Sequence, residues 1–359
     1  MPNLHTRILK LLVYRSRIKR YLKKMATIAK EHKQLLVFAA LSDIQYGDMD
    51  DGYNFKKTRK RYYRNALVFQ KRVMEQWKNM TPEVKFILQL GDIIDGFNKR
   101  HGISESSLKE TLDVIGDFKT YHVIGNHELY NFDRAALMKT PLFSAGLPEC
   151  KSSVASPNQF YYSFQAHASL RIIAIDTYEI AAIGWPESST NYQEAMKYLE
   201  NNINEDKNST TNMTGEDRRF AKFNGAVSST QLKWLNQLLE ECDQKKENVI
   251  IIGHLPIYPP ATAVDCLCWN YEEILSILYK HDCVISYMAG HDHVGGSGID
   301  EHHVQHITIP AILETPPDLD PPMATLYLYN DTLHIDGQYL LDNYDIKLKF
   351  PIASMNNIS

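Results

Sequence analysis

Five short apolar runs in the sequence each end at side chains of the types that bind divalent cations. The first run, residues 36–42, leads to Asp43 and Gln45. Side chains two positions apart on an extended chain point to the same side, so both can reach one point. The later runs lead to the remaining candidate ligands, which are Asp92, Asn126, His254, His291 and His293. Carboxylate, amide and imidazole groups at the ends of five apolar runs predict a metalloenzyme.

A glycine directly precedes the first ligand in four of these runs. We expect the glycines to let the backbone turn sharply after each strand, so that the next side chain faces the site. The mixed oxygen and imidazole set suits two divalent cations of intermediate hardness, such as Mn²⁺ or Fe²⁺. Two cations about 3.5–4 Å apart, bridged by Asp92 and a hydroxide, would stabilise the attacking and leaving oxygens of a phosphoryl group. The pattern therefore favours hydrolysis of a phosphate compound.

The elements that must position these ligands alternate between strand and helix patterns. In the first half, strands leading to Asp43, Asp92 and Asn126 are separated by helical segments over residues 56–77 and from Ser104 onwards. This β-α-β-α-β order predicts an α/β fold with a largely parallel sheet covered by helices. The carboxyl ends of parallel strands share one edge of a sheet, which is where the candidate ligands would meet.

The second half predicts further strands and helices around the remaining ligands. Residues 160–164 and 170–176 have the pattern of two paired strands. Helices are expected to begin at a Ser229 cap and to cover residues 271–279. The last apolar runs predict a closing meander over residues 307–309, 324–329 and 333–340.

Composition and charge limit the class of protein and its partners. With 359 residues, 44% of them hydrophobic and 23% charged, the chain is typical of a soluble globular protein. A net charge of −4 argues against nucleic acid as a partner. No apolar run approaches the roughly 18 residues of an integral membrane segment. The five cysteines show no zinc-finger spacing, so we expect reduced thiols and a cytoplasmic location. We also expect a monomer that acts on a small molecule.

The chain is predicted to hold one catalytic domain over residues 35–345, with a polar insertion at about residues 200–219 and a tail over residues 346–359. Residues 1–34 form a basic extension in which ten Lys or Arg occur and Glu31 is the first acidic residue. Such a composition fits a targeting segment, a basic amphipathic helix at a membrane surface or a disordered extension. A targeting segment would place the protein in mitochondria or another organelle instead.

Five sequence blocks in order carry a resemblance to a known family. Asp-x-Gln, Gly-Asp-x-x-Asp, Gly-Asn-His-Glu, Gly-His and Gly-His-x-His resemble the calcineurin-like metallophosphoesterase superfamily over about residues 36–340. The resemblance implies a four-layer α-β-β-α sandwich, with two mixed sheets flanked by helices. It implies that one cation is held by Asp43, Gln45, Asp92 and His293, and the other by Asp92, Asn126, His254 and His291. It also implies that His127, paired with Asp95, is an acid or transition-state donor rather than a ligand.

Gln45 departs from the superfamily pattern, which normally has His at this position. A neutral amide oxygen is a harder donor than imidazole, so that site should favour Mn²⁺ over Zn²⁺, with Mg²⁺ or Fe²⁺ as alternatives. With this Gln, the blocks at residues 51–55, 61–64 and 223–225 resemble the manganese-dependent ADP-ribose/CDP-alcohol diphosphatases. The resemblance implies hydrolysis of ADP-ribose, CDP-choline or CDP-glycerol to a nucleoside monophosphate and a phosphorylated partner. The attack would be in line, by a hydroxide held between the two cations.

The substrate contacts and the finer activity stay open at this point. Candidate contacts for the substrate are Phe55, Arg61, Phe223, Cys266 and Trp269. Either phenylalanine could stack on a base, and the arginine could meet a second phosphate. Other metallophosphoesterase activities are alternatives, namely a cyclic-nucleotide or phospholipid phosphodiesterase or a phosphoprotein phosphatase. A non-catalytic scaffold of the same fold is an alternative from another class.

Overall fold

The computed structural model describes residues 34–54, 56–152 and 159–352 of the chain, and strands form its centre. The strands are β1 Leu36–Leu41, β2 Gly52–Tyr53, β3 Lys60–Arg61, β4 Ile87–Gln89, β5 Thr120–His122, β6 Tyr162–His167, β7 Leu170–Ala174, β8 Asn248–Ile252, β9 Val284–Ala289, β10 Gly296–Ile299, β11 Gln305–Thr308, β12 Ala324–Leu328, β13 Thr332–Gly337 and β14 Tyr344–Lys347. The helices are α1 Tyr63–Lys78, α2 Asn98–His101, α3 Ser104–Ile115, α4 Asn126–Asn131, α5 Arg134–Leu137, α6 Thr190–Leu199, α7 Ser229–Lys245 and α8 Tyr271–Leu278.

The strands form two six-stranded mixed sheets and one small hairpin. The first sheet has the order β14-β13-β12-β1-β4-β5, in which β1, β4 and β5 run parallel. The second has the order β10-β11-β9-β8-β7-β6, in which β7, β8, β9 and β11 run parallel. Strands β1, β4, β5, β8 and β9 lead into the candidate ligands, so ligands come from both sheets. Their carboxyl ends are where an α/β fold places its site.

Side chains that alternate along the strands fill the space between the two sheets. Phe38 packs beside Phe86 with ring centroids 4.9 Å apart. Tyr121 of the first sheet stacks on Phe164 of the second, with centroids 3.6 Å apart, so the aromatic contacts cross from sheet to sheet. Aromatic pairs of this kind contribute about 0.5–1.5 kcal/mol beyond their burial.

Helices cover the outer faces of the sheets. Helix α1 buries one face, which carries Ala66, Phe69, Val73 and Trp77 at helical spacing. The indole Nε1 of Trp77 donates to Thr325 Oγ1 on β12 at 3.2 Å, which ties this helix to the first sheet. Helix α7 buries another apolar stripe in the same way. The layers are therefore helix, sheet, sheet and helix, and the α-β-β-α sandwich is confirmed.

Two local predictions differ from the structure. The helix expected to begin at residue 56 begins at Tyr63, because Lys60–Arg61 pairs with Gly52–Tyr53 as the antiparallel strands β3 and β2. The run near residues 307–309 is not part of the closing meander, since β11 pairs in parallel with β9 in the second sheet. The meander consists of β12, β13 and β14. The expected pairing of residues 160–164 with 170–176 is confirmed, because β6 and β7 are antiparallel.

The proposed division of the chain is only partly visible. Residues 1–33 lie outside the described residues, so the basic extension stays a prediction. The predicted tail boundary at residue 345 falls inside β14. The polar segment after α6 folds around the buried Asn202, whose side-chain amide donates to the carbonyls of Lys207, Ser209 and Phe220. Within the described ranges, helices long and apolar enough to cross a membrane are absent.

His122 on β5 is a buried titratable group in the first sheet. Its ring Nδ1 lies 3.2 Å from Gln89 Oε1, and its carbonyl accepts from the Tyr162 hydroxyl at 2.9 Å. Burial lowers the pKa of His122 to about 4. The neutral ring therefore belongs to the folded state.

We expect His122 to make the fold sensitive to mild acid. The unfolded chain has an ordinary histidine pKa of about 6.5, so between pH 6.5 and pH 4 only the unfolded state gains this proton. The free energy of unfolding should fall by about 3 kcal/mol as the pH is lowered through this window. Above about pH 6.5 the neutral ring has no such cost, so the full stability should be retained. Urea unfolding of metal-depleted protein at pH 7 and pH 4.5 measures this, and His122→Asn should show a smaller difference. An equal difference in both proteins would contradict the assignment.

Candidate metal centre

The ends of β1, β4, β5, β8 and β9 converge, and the seven predicted ligands line that point. Gln45 Nε2 lies 3.0 Å from Asp92 Oδ2 and 2.9 Å from His293 Nε2. His293 Nε2 is 3.4 Å from Asp43 Oδ1. These contacts join Asp43, Gln45, Asp92 and His293 in one group, although the strands that carry them belong to two sheets.

The other predicted ligands surround the far side of Asp92. His254 Nε2 lies 3.4 Å from Asp92 Oδ2, and the rings of His254 and His291 are 5.2 Å apart. Ligand atoms of Asp92, His254 and His291 all lie within 4.8 Å of one another, as in a metal-binding cluster. Asn126 joins this side through Tyr178, whose hydroxyl donates to Asn126 Oδ1 at 3.1 Å and whose ring is 5.9 Å from that of His254. Asp92 therefore lies between the two groups.

The backbone at several ligands is in an uncommon conformation. Positive φ angles of 50°, 44°, 56° and 68° occur at Asp43, Gln45, Asp92 and His291. Residues with side chains rarely adopt this region, and each such residue costs on the order of 1–3 kcal/mol unless its surroundings hold it there. Backbone strain is thus concentrated at the ligands themselves.

The glycines before the ligands act differently from the expected sharp turn. Of the four, only Gly91 has a positive φ, at 97°. At Gly290, a Cβ would lie 1.8 Å from Ser42 Oγ and 2.4 Å from Asp43 Oδ2. There the missing side chain allows the backbone of one ligand loop to lie directly against the carboxylate of another.

Each ligand histidine has one ring nitrogen committed to a neighbour. His254 Nδ1 lies 2.7 Å from the Leu90 carbonyl, which only accepts, so Nδ1 carries the proton and Nε2 is left with its lone pair. His293 Nδ1 contacts the Glu314 carboxylate at 2.8 Å in the same way. Such contacts fix the tautomer and the ring orientation of a metal ligand.

His291 is held at the opposite ring nitrogen. Its Nε2 lies 2.8 Å from Asn224 Oδ1. The Asn224 amide nitrogen donates to the carbonyls of Arg219 and Asp265, so its oxygen must face the imidazole. Nδ1 of His291 is therefore the nitrogen left for a cation.

The charges of the buried aspartates and histidines favour additional positive charge at this site. Burial alone would raise the pKa of Asp43 and Asp92, but the neighbouring histidines hold both below the ordinary value. Burial opposes protonation of His254 and His293, yet the carboxylates raise their pKa values to about 9. Burial and the charge of His254 lower the pKa of His291 to about 3. The carboxylates thus increase the affinity of these imidazoles for positive charge, which bound cations would supply in the same place.

Two buried polar atoms support the fit to metal. Within the described part of the chain, His254 Nε2 and Gln45 Oε1 lack hydrogen-bond partners. A buried polar atom without a partner is costly, and a bound cation would satisfy the imidazole nitrogen. Gln45 would bind through oxygen only if its amide turned about the terminal bond, so that Oε1 took the position of Nε2.

His127 stands at the edge of the group with a partner that the sequence did not predict. The backbone N–H of Gly96 donates to His127 Nδ1 at 2.7 Å. Asp95 Oδ2 is 3.3 Å from the same nitrogen but has no hydrogen bond of good geometry there. The accepting Nδ1 leaves the proton on Nε2, which is 3.8 Å from Asp92 Oδ2. Asp95 therefore acts on His127 mainly through its charge, which helps to raise the pKa of the imidazole against the effect of burial.

The predicted substrate contacts have different positions. Phe55 lies outside the described residues. The ring of Phe223 is 5.8 Å from that of His291, and Cys266 is half-buried in the turn Val264–Cys266 beside the Asn224 contact. Arg61 contacts Glu314 with 19% of its side chain exposed. Trp269 is 1% exposed and packs in an apolar cluster with Phe220 and Leu199, so its contact with substrate stays a prediction.

Several supporting residues were missed by the sequence analysis. They are Glu128, Tyr178, Asn224 and Glu314. Glu128 stood inside the Gly-Asn-His-Glu block, which was a usable signal. Its buried carboxylate accepts from the backbone N–H of Asp92 and Gly125 at 2.8 Å each and of Ile93 at 2.7 Å. Glu128 therefore holds the Asp92 turn in its strained conformation.

Comparisons with known proteins agree with this geometry. A sequence model of the family described as Calcineurin-like phosphoesterase matches residues 36–295. The manganese-dependent ADP-ribose/CDP-alcohol diphosphatase of Bos taurus is 36% identical to this chain, over 86% of this chain and 93% of that protein. The protein of the same name from Xenopus tropicalis is 38% identical, over 88% and 94%. A solved dimetal phosphatase from Danio rerio is 36% identical, with a TM-score of 0.84 over 88% of this chain and 100% of that chain.

We expect Glu128→Gln to disturb the site through the backbone. An amide has one acceptor atom, so its NH₂ group would face an N–H donor, which costs about 1–3 kcal/mol. The Asp92 turn should relax, and Mn²⁺ binding to metal-depleted protein, measured by calorimetry, should weaken. Glu247→Gln is the matched control, because this carboxylate is also buried but pairs with Arg171. Equal loss of metal binding in both variants would refute the positioning by Glu128.

Proposed function

The chain belongs to the calcineurin-like phosphoesterase family, and we propose that it is a metal-dependent diphosphatase. Its substrates would be ADP-ribose and CDP-alcohols such as CDP-choline and CDP-glycerol. The products would be a nucleoside monophosphate and a phosphorylated partner. The names of the relatives support this substrate class. The observation that carries the proposal is the buried group of oxygen and imidazole donors around Asp92.

The cofactor in this proposal is a pair of Mn²⁺ ions, with Mg²⁺ or Fe²⁺ as alternatives. One ion would be held by Asp43, Gln45, Asp92 and His293, and the other by Asp92, Asn126, His254 and His291. The mixture of oxygen and imidazole donors supports manganese over softer metals. When bound, the ions would supply Lewis-acid stabilisation of charge on the phosphoryl oxygens.

His127 would be the proton-bearing group of the reaction. The Gly96 N–H on Nδ1 leaves Nε2–H as a donor that faces the Asp92 side of the site. A fixed donor of this kind can stabilise a phosphoryl oxygen or protonate a departing one. With 14% of its side chain exposed, the imidazole remains within reach of a substrate. The negative charge of Asp95 would help to raise the pKa of this imidazole.

Arg61 and Phe223 would contact the rest of the substrate, together with Cys266 and, from outside the described ranges, Phe55. Glu314 is shared between the guanidinium groups of Arg59 and Arg61. Two cations on one carboxylate leave a net positive charge, which would attract the second phosphate of a diphosphate. Phe223 beside His291 offers an aromatic face for a base or ribose.

The proposal also covers the oligomeric state, the partners and the location of the protein. We propose a monomer without nucleic-acid partners, located in the cytoplasm. A mitochondrial or other organelle location is the alternative if residues 1–34 act as a targeting segment. The same proposal keeps residues 35–345 as the catalytic domain.

A hydrolysis panel tests the activity directly. With Mn²⁺ present, ADP-ribose, CDP-choline and CDP-glycerol should release AMP or CMP, and Asp92→Ala should release neither. Cleavage limited to cyclic nucleotides, to phospholipids or to a phosphoprotein would replace the proposal with one of those activities. No hydrolysis of any compound by manganese-loaded protein would favour a scaffold.

We expect Arg61→Ala to weaken turnover of diphosphates selectively. Loss of a charged hydrogen bond to the second phosphate should lower kcat/KM for ADP-ribose roughly 10- to 100-fold. Bis(4-nitrophenyl) phosphate has only one phosphate, so its kcat/KM should change little. Arg59→Ala is the comparison variant, since Arg59 also pairs with Glu314 but is more exposed, and its loss should lower kcat/KM for ADP-ribose less. The same loss for both substrates, or for both variants, would count against a phosphate contact.

A further inference from the structure

Tyr178 lies in the loop after β7 and is completely buried. Its hydroxyl is 3.1 Å from Asn126 Oδ1 and 2.9 Å from the carbonyl oxygen of Phe223. Both neighbours are acceptors in the structure, so the single hydroxyl proton is shared between them. Through these contacts, one side chain joins helix α4 to the loop that follows the polar segment.

The contact with Phe223 reaches a second ligand across one peptide bond. The next residue, Asn224, accepts from His291 Nε2 at 2.8 Å. Gly225 follows, and a Cβ there would lie 2.6 Å from the Thr177 carbonyl, so the loop lies directly against the Tyr178 segment. A shift of Tyr178 would therefore reach Asn126 on one side and His291 on the other.

The other side of Tyr178 is fixed by a buried ion pair. Arg134 Nη1 contacts Asp176 Oδ2 at 2.6 Å, and both side chains are almost fully buried. Asp176 Oδ1 accepts from the Tyr178 N–H at 3.0 Å, and Arg134 Nη2 donates to the Tyr178 carbonyl at 2.5 Å. Both backbone polar groups of Tyr178 are thus hydrogen-bonded, which fixes the position of the backbone that carries its side chain.

We propose that Tyr178 is a positioning residue for one of the two cations, the one assigned above to Asp92, Asn126, His254 and His291. Its hydroxyl holds the amide oxygen of Asn126 in place and, through Phe223 and Asn224, the ring of His291. This inference rests on the proposed function, because it takes the ligand assignment from there. At the cation assigned to Asp43, Gln45, Asp92 and His293, Glu314 holds His293 instead, and the hydroxyl of Tyr178 hydrogen-bonds to other residues.

The test is calorimetric titration of metal-depleted full-length protein with Mn²⁺, together with electron paramagnetic resonance of the bound ions. The wild-type protein should bind two ions. Tyr178→Phe should bind one of them about 10- to 100-fold more weakly, the range for loss of a contact that orients a ligand. The other ion should bind as in the wild type. The electron paramagnetic resonance spectrum of the variant should differ from that of the wild type less at one equivalent of Mn²⁺ than at two.

Tyr162→Phe is the matched control. Tyr162 is also completely buried and donates one hydrogen bond to a backbone carbonyl, that of His122 at 2.9 Å. Both variants lose one buried hydroxyl contact, so their midpoints of thermal unfolding should fall by similar amounts. Only Tyr178→Phe should change metal affinity.

A second variant separates positioning from a general structural effect. Asp at position 126 offers two equivalent oxygens, so its orientation matters less than that of an amide. Tyr178→Phe should therefore weaken the ion less in an Asn126→Asp background than in the wild type. Equal weakening in both backgrounds, two-ion binding unchanged in Tyr178→Phe, or the same loss in Tyr162→Phe would overturn the proposal. Wild-type protein that binds no Mn²⁺ would overturn the proposed function itself.

Discussion

Two carboxylates, Asp43 and Asp92, are buried where the two sheets meet, and the surrounding structure compensates their negative charge. Backbone N–H groups donate to both: His291 to Asp43 at 2.9 Å and His127 to Asp92 at 2.8 Å. The histidines that face them supply the remaining positive charge. An uncompensated buried charge costs several kcal/mol, so neither aspartate is tolerable without its surroundings. A site built on this constraint is one that a divalent cation can enter.

The strained backbone at the ligands follows from the same constraint. Four ligands adopt left-handed φ angles, and such strain persists only where neighbours determine the geometry. Glu128 provides part of that determination, because its carboxylate accepts from the backbone N–H groups of Asp92 and Ile93. Asn224 and Glu314 instead fix side chains, the rings of His291 and His293. Apart from the Gln45 amide, the proposed ligands are thereby held in place before any ion arrives, which is the arrangement that supports catalysis by preorganised charge.

The candidate ligands could be expected to lie together from the sequence, because each lies at or just after the end of an apolar run and such runs are local signals. The contacts of the supporting residues could not be predicted, because they join distant positions, although Glu128 itself stood inside the Gly-Asn-His-Glu block. Glu128 meets Asp92 across 36 positions, and Asn224 meets His291 across 67. The layers of the fold were predictable from the alternation of elements, whereas the hairpin of β2 and β3 was not. Its strands are only two residues long, which is too short for an apolar alternation to appear in the sequence, and Arg61 of β3 pairs with the distant Glu314.

The ligands of the centre are drawn from both sheets, since β1, β4 and β5 belong to one and β8 and β9 to the other. A bound ion would therefore act as a crosslink between the two halves of the sandwich, in addition to the aromatic contacts of the interior. A half-assembled chain with only the first sheet formed would present Asp43, Gln45, Asp92 and Asn126 but none of the three histidines. Removal of the metal by a chelator should accordingly weaken the association of the two sheets. The metal content would then indicate whether both sheets have formed.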